Sequence, residues 1–202
     1  SLSFLKKNPI DLNWKDQPLY PNSKAFFHEN KYSGETSISK VSKIQKILKS
    51  KLIDFYLLSS LDSIAWLLNI RGSDFEHTPL LCCHIVIPDQ GKIEIFIAKP
   101  KVEHLIKELS YLINFHPFEK LDKYLLSIDR KKILGMDKGS TSYHFKNICM
   151  DIGLSINHFE NPCLYPKAIK NKTELKGAID ANLRDGVSIT KYLYWLKNKI
   201  IM

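Results

Sequence analysis

The sequence predicts an α/β fold in which helices flank a mixed β-sheet and a long helix follows at the C-terminal end. Segments with apolar residues at helical spacing alternate with short apolar and aromatic runs, a pattern typical of a layered α/β domain. Two of these runs are joined by residues 88–91, Pro-Asp-Gln-Gly, which predict a turn and therefore an antiparallel hairpin. Crossover helices and a hairpin in the same sheet give it mixed strand directions.

The segments before the hairpin are assigned from their spacing and composition. Residues 1–35 show no periodicity and carry scattered prolines, so we predict an extended lead-in. Residues 36–51 place apolar side chains at helical spacing after hydroxyl residues that can cap a helix. Residues 53–59 are predicted to form a buried strand, and residues 61–68 are predicted to form a short helix.

The remaining segments continue the alternation. Strands are predicted for the short apolar runs, at residues 81–87, 92–98, 113–115, 133–136 and 155–159. Helices are predicted where apolar residues recur every three or four positions, at residues 101–112, 117–128 and 140–152. We expect Ser140 or Thr141 to cap the last of these helices.

A capping box begins the final helix. Residues 171–174 read Asn-Lys-Thr-Glu, in which Asn171 can cap the first turn and Glu174 can reach back to the Asn171 N–H. Apolar residues then recur to about residue 198, which predicts a helix about 40 Å long. We expect its apolar side to be covered, either by folding back or by a second copy of the chain in a homodimer.

The formal net charge of +9 does not by itself indicate a nucleic-acid partner. Arginine is favoured for bidentate contacts with phosphates and bases, yet only Arg71, Arg130 and Arg184 occur, and the other basic residues are lysines spread along the chain. We therefore predict no nucleic-acid partner. No stretch approaches the roughly 20 apolar residues that span a bilayer, so we also predict no membrane partner.

The cysteines predict a reducing compartment. Cys82 and Cys83 are adjacent and would point to opposite faces of a strand, which makes them poor partners for each other. Neither Cys149 nor Cys163 belongs to a CxxC pair. We predict free thiols, and hence a cytoplasmic protein.

The densest group of charged residues lies in the loop of residues 71–79, RGSDFEHTP. Arg71, Asp74, Glu76 and His77 could supply a carboxylate–imidazole acid/base pair or part of a metal site. The alternative is a loop whose charges bind backbone groups or face another domain or a substrate. We favour this interdomain or substrate-side loop, because no second group of acids and histidines accompanies it in the sequence.

Three stretches carry a resemblance when taken together: residues 14–18, WKDQP; residues 61–79, LDSIAWLLNIRGSDFEHTP; and residues 161–174, NPCLYPKAIKNKTE. They resemble, in order, the entry to the middle domain, the middle domain itself and its junction with the catalytic domain in three-domain aminopeptidase P enzymes, the Xaa-Pro aminopeptidases. The matching patterns are W-x-D-x-P, D-x-I-A-W-L-x-N-x-R-G-S-D-x-x-x-x-P and K-A-x-K-N-x-x-E. Thr78 departs from the Asn that the family often has at this position.

The resemblance implies a creatinase N-terminal-like fold with a ribonuclease H-like motif. It implies a division into a lead-in at 1–35, a middle domain at 36–165 and, at 166–202, the first helix of a pita-bread catalytic domain. It further implies that the full-length protein uses two divalent metal ions, usually manganese, to release the residue that precedes proline at a peptide N-terminus.

The family's metal ligands are two Asp, one His and two Glu, and we match none of them to a position in this sequence. We therefore transfer no catalytic or metal-binding residue, and expect this chain alone to bind no metal and to be inactive. The rival interpretation is a non-catalytic module, because creatinase-like domains also occur in proteins that bind peptides or other proteins without hydrolysing them. Whether the full-length protein retains the five ligands would decide between the two.

Overall fold

A computed structural model describes residues 8–200 of the chain. The helices are α1 (Pro9–Asn13), α2 (Asn30–Ser33), α3 (Ser37–Ser50), α4 (Leu61–Leu68), α5 (Lys99–Val102), α6 (Ile106–Leu109), α7 (Leu121–Leu126), α8 (Tyr143–Asp151), α9 (Leu164–Ala168) and α10 (Lys172–Ile200). The strands are β1 (Phe26–Phe27), β2 (Phe55–Leu58), β3 (Ile70–Arg71), β4 (His84–Pro88), β5 (Ile93–Phe96), β6 (Ile113–His116), β7 (Ile133–Met136) and β8 (Ser155–His158). A 3₁₀ turn, Phe118–Lys120, precedes α7.

The predicted mixed sheet is confirmed. Six strands lie in the order β6–β5–β4–β2–β7–β8. Strand β4 runs antiparallel to β2 and β5, whereas β2, β7 and β8 are parallel to one another, as are β5 and β6. The turn between β4 and β5 holds Gly91 at a φ of +90°, a backbone conformation that glycine adopts without strain.

Two apolar cores lie on the two faces of the sheet, because successive strand side chains point in opposite directions. Tyr56 and Leu58 of β2 are buried in one core with side chains of α3, α4, α5 and α6. Leu57, between them, is buried in the other core with side chains of α7 and α8. Strand β2 is therefore covered on both faces, as the apolar run at 53–59 predicted.

Two predicted element starts are wrong, and side-chain hydrogen bonds explain both. The first hairpin strand begins at His84 rather than residue 81, where Cys82 donates its backbone N–H to the Asp74 carboxylate at 2.7 Å. Helix α8 begins at Tyr143 with Ser142 as its cap, not Ser140 or Thr141. The Asp137 carboxylate accepts hydrogen bonds from Gly139 N and Ser140 Oγ, which turns the chain before the helix starts.

Two predicted helices are shorter than expected. The segment at 101–112 forms two short helices, α5 and α6, with an irregular turn between them. The segment at 117–128 forms the 3₁₀ turn and α7. Residues 8–35, predicted as extended, include α1, α2 and a strand, β1, that pairs with β3. Residues 1–7 of the predicted lead-in lie outside the described residues.

The long final helix is confirmed as α10, and its capping box is formed. The backbone N–H of Asn171 donates to Glu174 at 2.9 Å, while Asn171 Oδ1 accepts from the N–H groups of Thr173 and Glu174 at 2.9 and 3.0 Å. Beyond its start the helix carries an open apolar stripe of half-exposed or more exposed side chains: Leu175, Ile179, Leu183, Val187 and Trp195. Among the described residues, no helix is both long and apolar enough to cross a membrane.

Candidate functional site

The loop that contains the predicted charged cluster connects β3 to β4. Phe75 and Thr78 form an isolated bridge, and the Asp74 N–H donates to the Leu80 carbonyl at 3.3 Å. His77 has a φ of +60°, so the chain reverses direction at Glu76 and His77. The loop is therefore a narrow projection whose two ends lie against the domain and whose turn lies in solvent.

Asp74 is the buried end of this projection. Its carboxylate is fully buried and accepts hydrogen bonds from Ser23 Oγ at 2.7 Å, from Cys82 N at 2.7 Å and from the ammonium of Lys101. Burial alone would raise the pKa of Asp74, but the hydrogen bonds from Lys101, Cys82 and Ser23 outweigh it and hold that pKa below its usual value. The ionised carboxylate thus joins the loop to α5 and to the N-terminal segment.

Arg71 lies at the other end of the loop and caps a helix. Its Nη1 donates to the carbonyls of Ala65, at 2.5 Å, and Ile70, at 2.9 Å. These groups lie at or just beyond the C-terminal end of α4, where unpaired carbonyls carry partial negative charge. Burial lowers the pKa of Arg71, and the charge of Glu174 partly offsets this effect. Arg71 therefore has a structural role.

A buried lysine completes the cap of α4. Lys40 donates its ammonium protons to the Trp66 carbonyl at 2.9 Å and to Asn69 Oδ1 at 2.8 Å, and it lies 4.6 Å from the centre of the Trp66 ring. Burial lowers the pKa of Lys40, while the nearby carboxylates of Glu174 and Glu35 raise it. A buried cation of this kind is stabilised by carbonyls, a ring face and longer-range charge.

The same region holds the start of α10 against the domain. Asn171 Nδ2 donates to the Ser33 carbonyl at 2.8 Å, and Asn69 Nδ2 donates to the Glu35 carbonyl at 2.8 Å. Gly34, between Ser33 and Glu35, has a φ of +67°, and a Cβ there would lie 2.5 Å from Asn171 Oδ1. The close approach of Gly34 to the helix cap fixes where α10 begins.

Glu76 and His77 occupy the solvent-exposed turn of the loop. Their side chains are 87% and 89% exposed, and His77 Nε2 lies 3.4 Å from Glu76 Oε1. A contact between side chains that are solvated to this extent contributes little to stability. A shallow groove of about 290 Å³ beside it is lined by the loop itself, including Phe75, which is 43% exposed. Of the four predicted residues, these two are the ones available to a partner.

The structure thus separates the predicted cluster into two pairs. Arg71 and Asp74 bind groups inside the domain, whereas Glu76 and His77 face solvent. Asp74 does not lie in an acid/base pair with His77, because its carboxylate oxygens are occupied by Ser23, Cys82 and Lys101. An interdomain or substrate-side role for the loop remains a prediction.

The sequence did not reveal two further carboxylate–imidazole contacts. His116 Nε2 lies 2.5 Å from Glu94 Oε2 on the neighbouring strand, and His144 Nε2 lies 2.8 Å from Asp122 Oδ2. Both pairs are separated by 22 positions in sequence, so only the strand register and the packing of α7 on α8 bring them together. Within residues 8–200, no group of three or more His, Cys, Asp or Glu side chains could hold a metal ion.

Residues 16–174 match the Creatinase/Prolidase N-terminal domain family. The chain belongs to this family. It is 32% identical to Xaa-Pro aminopeptidase 1 of Dictyostelium discoideum over 94% of this chain and 30% of that protein. It is 31% identical to a probable Xaa-Pro aminopeptidase P of Penicillium rubens over 100% of this chain and 34% of that protein. The chain therefore spans about a third of the length of these relatives.

A solved structure shares the fold. The X-prolyl aminopeptidase of Caenorhabditis elegans, described as a cytosolic enzyme with a di-nuclear active site, superposes with a TM-score of 0.85 at 24% identity. The match covers 95% of this chain and 32% of that one. At this identity the likeness establishes the fold, and it confirms the creatinase-like architecture that the sequence motifs implied.

Proposed function

We propose that this chain is the creatinase-like part of a metal-dependent Xaa-Pro aminopeptidase, which releases the N-terminal residue from peptides with proline in second position. One observation carries the proposal: nearly the whole chain aligns with curated Xaa-Pro aminopeptidases. The proposed division is a lead-in at 1–35, a middle domain at 36–165 and the first catalytic-domain helix at 166–202, of which residues 201–202 lie outside the described residues.

The proposed activity requires metal ions that the described residues do not fit. The Caenorhabditis elegans enzyme is described as di-nuclear, and we propose two divalent ions, manganese, for the full-length protein. Residues 8–200 offer no group of three or more suitable donor side chains. We therefore propose that the ions are held by residues outside this chain, and that the chain alone does not hydrolyse peptides.

We propose that the part played by this domain is positional. Asp74 and Arg71 fix the two ends of the loop, and the resulting projection presents Glu76 and His77 to a neighbouring domain or to the peptide substrate. The fixed base matters, because a contact residue on a rigid support loses less conformational entropy when it binds.

The proposed compartment is the cytoplasm. All four cysteines lie within residues 8–200 and are free thiols, and the Caenorhabditis elegans relative is described as cytosolic. The open apolar stripe on α10 supports the further proposal that the helix is covered in the full-length protein or in a homodimer.

The test is cleavage of an Xaa-Pro tripeptide with added manganese, measured side by side for the 202-residue chain and for the full-length protein. Turnover by the full-length protein alone is the expected result. Turnover by neither protein would instead favour a non-catalytic peptide- or protein-binding module. Turnover by the chain itself would overturn the assignment of the chemistry to residues outside it.

A further inference from the structure

A cavity of about 540 Å³ lies beside β6, away from the loop of residues 71–79. Apolar side chains of α5, α6 and β6 line much of it, Val102, Ile106, Ile113 and Phe115, and polar residues line the rest. This volume falls in the range of cavities that hold several apolar groups of a ligand. The cavity therefore has the size and the chemistry of a binding site rather than of a packing defect.

The cavity lies beside an edge strand of the sheet, because four of its lining residues belong to β6. In the described sheet β6 pairs with β5 on one side and with no strand on the other. Ile93 N donates to the Leu112 carbonyl, and Ile97 N donates to the His116 carbonyl, both at 3.0 Å. In a parallel pair of strands, every second residue directs its N–H and C=O groups at the neighbouring strand. The N–H and C=O groups of Ile113 and Phe115 therefore point away from β5. A free donor and acceptor row of this kind accepts an additional strand.

The outward peptide groups and the cavity lie in register. Ile113 belongs to the core on the α5–α6 face, and Phe115 packs against the same core. A strand added to β6 would place every second side chain on this face, because successive residues of a strand alternate. Those side chains would lie over the cavity. The backbone of the added strand would form hydrogen bonds with the N–H and C=O groups of Ile113 and Phe115.

The opposite edge of the sheet differs. Strand β8 exposes Ser155, Asn157 and His158, and its remaining residue is half-buried. Polar side chains of this kind discourage strand addition, because an incoming strand would bury them without apolar compensation. Of the two edges, β6 is the one suited to receive a strand.

Charge specifies the occupant further. Lys92 and Lys99 are among the residues that line the cavity. The carboxylate of Glu94 lies beside two other lining residues, and its oxygens are occupied by Asn114 Nδ2 and His116 Nε2. Lys99 has a carboxylate of Glu103 at 3.4 Å, but both side chains are about two-thirds exposed, so the contact is weak. Lys92 donates its ammonium protons to the Ser110 carbonyl at 2.6 Å, an acceptor that carries no formal charge. The complementary ligand carries carboxylates.

We propose that the β6 edge binds an extended peptide segment as an additional strand, with alternate apolar side chains in the cavity and acidic side chains at Lys92 and Lys99. Backbone hydrogen bonds supply affinity in this mode of recognition, and the side-chain sites supply selectivity. The partner is a polypeptide with alternating apolar residues and flanking acids. This site is separate from the Xaa-Pro cleavage proposed above and does not depend on it.

The probe is an acetylated, amidated heptapeptide with leucine at its third and fifth positions and glutamate at its first and seventh, labelled for fluorescence anisotropy. Because these four positions alternate with the other three, their side chains all lie on the cavity face of the added strand. The control peptide has the same sequence with lysine in place of both glutamates. At low ionic strength, the 202-residue chain binds the glutamate peptide at least about tenfold more tightly than the lysine peptide. The variant Lys92→Glu/Lys99→Glu reverses this preference.

A matched variant, Lys138→Glu/Lys146→Glu, changes the net charge equally but lies at the β7–β8 side of the sheet. It keeps the wild-type preference. Ile106→Asp places a charge in the cavity and weakens binding of the glutamate peptide at least about tenfold. Circular dichroism confirms that each variant is folded.

Equal affinity for the two peptides, or an equal effect of the two charge-reversed variants, overturns the proposal, because either result indicates non-specific attraction. Sedimentation at the concentrations used for binding tests the other occupant. A dimer that the glutamate peptide dissociates, and that Lys92→Glu/Lys99→Glu abolishes, would assign the edge to a second copy of the chain instead.

Discussion

The carboxylate of Asp74 and the ammonium of Lys101 meet inside the domain, with side chains 0% and 1% exposed. Asp74 belongs to the loop between β3 and β4, and Lys101 belongs to α5. Ser23 and the Cys82 N–H satisfy the remaining acceptor capacity of the carboxylate. A buried charge pair with this many hydrogen bonds joins three segments, and its loss leaves an uncompensated ammonium in the interior.

Asp74→Ala should therefore lower the free energy of unfolding by about 3–5 kcal/mol. The change leaves Lys101 buried without its counter-ion and removes the acceptor for Ser23 and Cys82. Urea denaturation followed by circular dichroism measures the loss. Glu76→Ala, two residues along the same loop but 87% exposed, is the control and should change stability by less than about 0.5 kcal/mol. Similar effects for both variants would contradict the anchoring role of Asp74.

A second prediction concerns the dependence of stability on pH. His84 is half-buried between Phe118 and Phe145, and its Nδ1 lies 3.1 Å from Ser59 Oγ. Burial lowers the pKa of His84 below its ordinary value. Below about pH 6.5, the unfolded chain binds a proton at this residue that the folded chain does not bind, so stability falls as the pH falls towards the lowered pKa.

His84→Gln should reduce the decrease in unfolding free energy between pH 7.5 and the folded-state pKa, because the substituted side chain does not titrate. The matched control is His77→Gln, because the His77 side chain is 89% exposed in the folded protein and unfolding changes its surroundings little. Urea denaturation over a pH series measures both slopes. A slope for His84→Gln equal to that of the wild type would exclude His84 as a source of the pH dependence.

The contact between Gly34 and the α10 cap gives a third prediction. Gly34 has a φ of +67°, which is strained for alanine. Gly34→Ala would also place a Cβ only 2.5 Å from Asn171 Oδ1 and 2.7 Å from Thr173 Cβ. Gly153→Ala introduces a similar strain, at a φ of +75°, but has no atom within 4 Å of the new Cβ. We expect a loss of about 1 kcal/mol for Gly153→Ala and of at least about 2 kcal/mol for Gly34→Ala. Thermal denaturation compares them, and equal losses would show that the start of α10 tolerates displacement.

Removal of the cap itself gives a fourth prediction. Asn171→Ala deletes the acceptor for two backbone N–H groups and the donor to the Ser33 carbonyl, and should cost about 1–2 kcal/mol. Asn182→Ala, in the exposed middle of α10, should be neutral or slightly stabilising, because its Nδ2 bonds only the Ala178 carbonyl within the same helix. Guanidinium denaturation provides the comparison, and a cost for Asn182→Ala as large as that for Asn171→Ala would argue against a specific cap.

The elements that the sequence predicts correctly are those whose determining residues lie close together in the chain. The Asn171 and Glu174 cap was predicted because its partners fall within four consecutive positions. The hairpin at residues 88–91 was predicted for the same reason, since a turn depends on a few adjacent residues. The final helix and the mixed sheet followed from periodicity, which is also a local property.

The division of the charged loop could not be predicted. Asp74 is buried because Lys101 and Ser23 reach it, and these partners lie 27 and 51 positions away in the sequence. The spacing of Asp74, Glu76 and His77 in the sequence does not indicate which of the two carboxylates is buried. Similarly, the contact between Glu94 and His116 depends on the register of β5 with β6, which sequence patterns alone do not specify.

We propose that this domain contributes to Xaa-Pro cleavage by presenting the turn of its loop, not by supplying the reacting groups. The most direct measurement is kcat and KM for an Xaa-Pro tripeptide with the full-length protein carrying Glu76→Ala and His77→Ala together. We predict a change in KM of about two- to tenfold, with kcat and thermal stability near wild-type values. Unchanged turnover, KM and assembly would contradict the contact role, and a loss of about a thousandfold in kcat would mean that these residues take part in the chemistry.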